Sequence, residues 1–177
     1  MRKTIIAAAT TLLIGGAGVM TFAAPAFAGT TAGTPVTVEI TGGGLSISVP
    51  AGADLATTAA SPIAQTVHGL LGPVLVTDLR AGFLGWVASA VSTDFTGTTG
   101  PTISAATMSY TPGTTVVVGI ATVTPVSLTA MTTPSTVQTA SSVIGVNTAT
   151  WTPSIGVLIP AGAVAGTYTA TITHSVA

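Results

Sequence analysis

Few side chains in this 177-residue chain can do acid–base, metal or stacking chemistry. The histidines are His68 and His174, and the carboxylates are Glu39, Asp54, Asp78 and Asp94. A metal pair would need both histidines to converge with a carboxylate, and their spacing matches no ligand motif. No metal and no cofactor is therefore expected. His174 falls on the apolar side of an alternating run and reads as a packing residue near a sheet end. His68, beside Gly69, reads as exposed. Two aspartates could act as acid and base in glycan hydrolysis. However, Asp78 and Asp94 stand near the ends of strand-like runs, where Asp commonly caps a turn. Arg80, two residues from Asp78, offers that carboxylate an ion pair. Neither a Gly-x-Ser-x-Gly nor a Ser-x-x-Lys sequence occurs. These residues read as a non-catalytic chain.

The aromatic residues are stronger candidates. Exposed rings stack on the apolar faces of sugars, which makes Trp86, Trp151 and Phe83 the candidate wall or glycan contacts. Against that, Trp86 and Trp151 sit inside alternating strand residues, where large aromatics usually anchor a core. Phe83 and Leu84, flanked by Gly82 and Gly85, form an apolar loop tip expected to be exposed.

The elements that must position these residues follow from period-2 alternation. In residues 167–176 Tyr168, Ala170, Ile172, His174 and Val176 face one way, and Thr167, Thr169, Thr171, Thr173 and Ser175 the other. Residues 35–41 alternate similarly, with Val36, Val38 and Ile40 expected inward. After Gly42-Gly43-Gly44 the pattern resumes at 45–49, so the glycines mark a hairpin or a bulge. Short strands are expected at 65–69 and 73–79, and a longer, central one at 86–95. Further strands are expected at 103–110, 114–123, 146–151 and 155–159. The run Val116-Val117-Val118 suggests burial on both faces. Residues 54–64 are a loop or one helical turn, and the Thr/Ser/Pro-rich stretch 124–142 is a long connection with one short strand inside it. Eight to ten short strands with turn signals between them and no convincing helix indicate an all-β fold. The architecture is an antiparallel β-sandwich, immunoglobulin-like or jelly-roll in order.

Composition sets the address. Arg2 and Lys3, an apolar stretch and Ala26-Phe27-Ala28 make residues 1–28 a signal peptide, with cleavage expected before Gly29. A single β-sandwich domain over 29–177 is expected after it, with 29–34 as a flexible lead. Arg80 is then the one remaining Lys or Arg against four carboxylates, which excludes neutralisation of a nucleic-acid backbone. The chain has no cysteine, so disulfides and thiolate metal sites are excluded. No segment after the signal has the roughly 20 continuous apolar residues of a spanning helix. No Leu-Pro-x-Thr-Gly sorting tail is present, so covalent anchoring by sortase is not expected.

Several segments together carry a family likeness. They are Gly-Gly-Leu-Ser-Ile-Ser-Val-Pro at 43–50, Leu-Gly-Pro-Val-x-Val-Thr-Asp at 71–78, and Gly85-Trp86-Val87-Ala88. With them go Ala-Thr-Trp-Thr-Pro at 149–153 and the Pro-Ala-Gly-x-x-x-Gly-Thr-Tyr-Thr-x-Thr-Ile-Thr-His ending. This set resembles the WxL-type surface domains of Gram-positive bacteria, in their short actinobacterial form. The resemblance implies a secreted β-domain held non-covalently on the cell wall through peptidoglycan, or on surface partners, with Trp86 and Trp151 as its motif tryptophans. The motifs are degenerate: the first reads Trp-Val-Ala and the second Trp-Thr-Pro. Independently of that resemblance, the sparse charge and Val/Thr-rich strands carry no lysine to defend an edge. They support a second expectation, a structural subunit that forms homo-oligomers, a surface layer or a fibre, by adding strands edge to edge.

Overall fold

The structure, a computed structural model, describes residues 34–177. The expected signal peptide and residues 29–33 of the lead lie outside the described residues. The chain divides into two compact units, Met1–Val38 and Glu39–Ala177. Of the first unit, residues 34–38 are described, and they carry no regular secondary structure.

The second unit is all-β. Its strands are β1 (Leu45–Ser48), β2 (Gln65–Leu70), β3 (Val74–Gly82), β4 (Trp86–Ser92), β5 (Thr96–Gly97), β6 (Met108–Thr111), β7 (Thr115–Pro125), β8 (Ser135–Trp151), β9 (Ser154–Ile159), β10 (Tyr168–Thr169) and β11 (Ile172–Val176). The larger sheet runs β1-β3-β8-β4-β11, with β7 also paired to β8. The smaller sheet is β2-β9-β6, and β5 and β10 form a short ribbon. Every pairing is antiparallel. Among the described residues no helix is long and apolar enough to cross a membrane.

The 17-residue strand β8 organises the larger sheet. Along one edge its first half pairs with β4, from Ala90↔Ser135 to Trp86↔Ala140. Its second half pairs with β3, from Asp78↔Asn147 to Val74↔Trp151. Along the other edge β7 accompanies it from Pro125↔Gln138 to Thr115↔Trp151. A strand can change neighbours in this way only by bending. The bend is visible in Ser142 and Gly145, both at positive φ, and in β7 at Gly119 (φ 93) with a register shift. The sheet thereby curls towards a barrel.

Period-2 alternation builds the core. Val74 and Val76 of β3, Trp86, Ala88 and Ala90 of β4, and Ala149 and Trp151 of β8 point inward. They pack with Met108 and Tyr110 of β6 and Ile155 and Val157 of β9 from the smaller sheet. The terminal run keeps its expected faces, with Ile172, His174 and Val176 half-buried and Thr173 and Ser175 exposed.

Five expectations are corrected. Residues 35–41 form no strand, and Val36, Val38 and Ile40 are exposed. The glycines 42–44 lead into β1, whose partner is β3, so they close no hairpin. In β7, Val117 packs on the core while Val116 and Val118 face solvent, because no layer covers the outer side of that strand. The stretch 124–142 is largely strand: β8 already begins at Ser135, and its Thr and Ser residues alternate with Val137 and Ala140 on a half-buried surface. In place of a strand over 103–110 there is a 3-10 turn at Ala105–Thr107 followed by β6.

Candidate functional site

Both tryptophans are inner-face residues of the larger sheet, 2% and 1% exposed for Trp86 and Trp151. Neither can stack on a sugar, which corrects their candidacy as surface contacts and supports the core-anchor reading. A buried indole still needs a partner for its N–H. Each tryptophan finds it in a different polar chain.

The first chain runs through β4, β8 and β3. Trp86 Nε1–H donates to Asn147 Oδ1 at 3.2 Å, and Asn147 Nδ2 lies 3.5 Å from Asp78 Oδ2. Asp78 is buried, and Arg80 holds it with both arms, Nε to Oδ1 at 2.9 Å and Nη2 to Oδ2 at 3.0 Å. The Arg80 backbone N–H adds a third bond to Oδ1 at 3.1 Å. The guanidinium hydrogen bonds, opposed by desolvation, hold the Asp78 carboxyl below its usual range. Arg80 also donates from Nη2 to the carbonyls of Leu84 at 3.3 Å and Gly85 at 2.9 Å. Gly85 precedes Trp86, so the chain closes on itself and fixes the loop between β3 and β4.

That loop carries Phe83, 80% exposed, and Leu84, also exposed. Residue Ala81 at its entry has φ 54, a left-handed conformation costing roughly 1–2 kcal/mol for a non-glycine residue. The surrounding bonds over-determine it. Register places Gly82 opposite Gly145 and Ile120 opposite Ile144, so the tip adjoins an outer strip of exposed Ile120, Ile144 and Val146. The exposed apolar tip expected at Phe83 is therefore present, and it is rigidly mounted.

The second chain joins the two sheets. Trp151 Nε1–H donates to Tyr110 Oη at 2.9 Å, and His174 Nε2 lies 3.1 Å from the same oxygen. The Tyr110 and His174 rings are 5.6 Å apart and tilted by 57°. The imidazole tautomer sets which of Oη and Nε2 donates, and His174 Nδ1 is buried with no partner among the described residues. Burial favours the neutral form of both groups: the phenol pKa is pushed up to about 12 and the imidazole pKa is lowered below its usual value. His174 is thus the packing residue that its position implied.

The remaining chemistry-bearing groups are dispersed. Asp94 Oδ1 accepts the Ala105 N–H at 2.7 Å and so ties the 3-10 turn, whose N-cap is Ser104, to the segment after β4. Asp78 is bound to Arg80. His68 is exposed on β2, with its ring against Gly156. Among the described residues no three His, Asp or Glu side chains could hold a metal ion. A cleft of about 760 Å³ lies between the 53–65 and 160–170 segments. Its floor includes Val157 and Ile159, and Asp54 and Gln65 are on its wall.

Sequence reading missed Tyr110 and Asn147 as partners of the tryptophans. A signal for Asn147 exists: counting back by twos from Trp151 puts Ala149 and Asn147 on the same inner face. A buried Asn must find a partner, and nothing in one sequence says which. No family model, no curated protein and no solved structure matches this chain.

Proposed function

We propose that the chain is a secreted, non-catalytic cell-surface domain that associates with the cell wall, through peptidoglycan, or with other surface proteins. The observation that supports this is the Arg80-braced loop, which presents Phe83 and Leu84 to solvent beside an uncharged apolar strip. A rigid exposed aromatic loses little conformational entropy on binding, which suits a contact residue. In the WxL-type reading, Trp86 and Trp151 support the fold and the contact falls to Phe83, three residues before the first motif tryptophan. Asp78, Asp94 and His174 each serve a structural bond, which leaves the proposed role one of adhesion. Sedimentation with purified peptidoglycan and with whole cell envelopes tests the proposal. Retention on either supports it, and loss of retention after protease treatment of the envelopes assigns the partner to a surface protein. Recovery of all the protein in the supernatant of both contradicts it.

A second reading, self-assembly by strand addition, is favoured by β7. This strand of 11 residues pairs on one side only, carries no charged side chain and leaves Val116, Val118 and Ile120 exposed. An edge of that kind is a template for another strand.

A further inference from the structure

We infer that residues 36–41 of one copy add as a strand to the free edge of β7 in a second copy, linking copies head to tail. The inference rests on the self-assembly reading and names its donor and acceptor.

The donor is Val36-Thr37-Val38-Glu39-Ile40-Thr41. It has the alternation of a half-buried strand, yet it pairs with nothing among the described residues, and Val36, Val38 and Ile40 are 90%, 86% and 83% exposed. Three large apolar side chains on one side of an unpaired segment are complete only against another surface.

The acceptor is the edge of β7. Other edges are less open: β1 and β11 lie beside each other, and Leu55 backbone runs so close over Gly69 of β2 that a Cβ there would collide with it. In β7 the Gly119 kink leaves two regular runs, of which Thr115–Val118 turns Val116 and Val118 to the outer face. A donor strand placed alongside would set Val36, Val38 and Ile40 next to those valines on one face.

Gly43 is fixed beside β3 through its N–H to the Leu79 carbonyl. Counted along the sheet from β1, the slot beyond β7 is four strand spacings away, across β3, β8 and β7. The three residue steps from Ile40 to Gly43 span about 10 Å at most. Addition between copies asks for no such crossing of the donor's own sheet. Because donor and acceptor are different surfaces, the contact is heterologous, and each copy can give its strand to one neighbour and receive one from another.

The absence of cysteine provides a clean test. The variants V38C, V116C, V118C and T37C are purified after export, checked for native circular dichroism, mixed pairwise and oxidised. V38C with V116C or V118C is expected to form disulfide-linked dimers about tenfold more than T37C with either, because Thr37 faces the opposite side. A synthetic peptide of residues 35–41 is expected to suppress them. Equal cross-linking of V38C and T37C overturns the inference. Concentration-dependent oligomers that lack the V38C cross-link, or V118C homodimers formed through β7–β7 pairing, also overturn it while leaving strand addition in place. A protein that stays monomeric at all concentrations removes both.

Discussion

Trp151 and Tyr110 meet at 2.9 Å between the two sheets, indole N–H to phenolic oxygen, and the same oxygen lies 3.1 Å from His174 Nε2. One hydroxyl thus partners the indole N–H of Trp151 in β8 and Nε2 of His174 in β11. Its removal leaves two buried polar nitrogens without partners. Y110F is expected to lower unfolding free energy by about 2–4 kcal/mol, the cost of orphaning both. Urea denaturation measures it. The double variant W151F/Y110F is expected to lose less than the sum of the single losses, since both remove the same bond.

The pH profile of stability carries two signatures of this chain. The Tyr110 pKa is raised from 10.0 to about 12, so its contribution is complete below pH 10 and is lost as pH rises towards 12. The His174 pKa is lowered from 6.5, so its contribution is present above that value and is lost as pH falls through the folded-state pKa. Urea midpoints measured across pH should therefore fall on both sides. H174Q is expected to flatten the acid side below pH 6.5, and Y110F the alkaline side.

Asp78 adds a lower limb. Its pKa is held below 3.8 chiefly by the Arg80 hydrogen bonds, so its stabilisation is present above that value and disappears as pH drops further. R80A leaves the carboxylate buried without its main partner. The expected loss is about 2–3 kcal/mol, below that of a fully buried pair because Arg80 keeps an edge in water. R80A should also free the Phe83 loop, read as faster amide exchange at residues 83–85.

Gly85 tests how tightly that loop is seated. A Cβ at this position would run into the Ala140 carbonyl oxygen, which belongs to backbone and cannot swing away. G85A is expected to cost about 1–3 kcal/mol in thermal or urea unfolding. An unchanged midpoint would show that β4 and β8 are looser than described.

The β-class, both tryptophan-bearing strands, the Asp78–Arg80 pair and the two-faced terminal run were legible in the sequence because each is written in local alternation or short spacing. The run Val116-Val117-Val118 was misread for a physical reason: β-branched residues suit a strand whether its second face is covered or open. Residues 35–41 show the same limit, since alternation reports a strand's fitness to pair and says nothing about whether a partner is present. The start of β8 was hidden because Ser and Thr at 135–142 fit an outer strand face as well as a loop. The bonds from Trp86 to Asn147 and from Trp151 to Tyr110 connect residues 61 and 41 apart. Such contacts are set by the bend in β8 and by sheet packing, beyond the reach of any local pattern.

The proposed adhesive role is tested most directly by comparing the unmodified protein with F83S/L84S in sedimentation with whole cell envelopes. Both side chains are exposed, so the double variant should unfold within about 0.5 kcal/mol of the unmodified protein. Retention of the unmodified protein, reduced about tenfold or more in F83S/L84S, is the expected result, matching the weight usually carried by a central aromatic anchor. Equal retention of the two proteins would contradict the account.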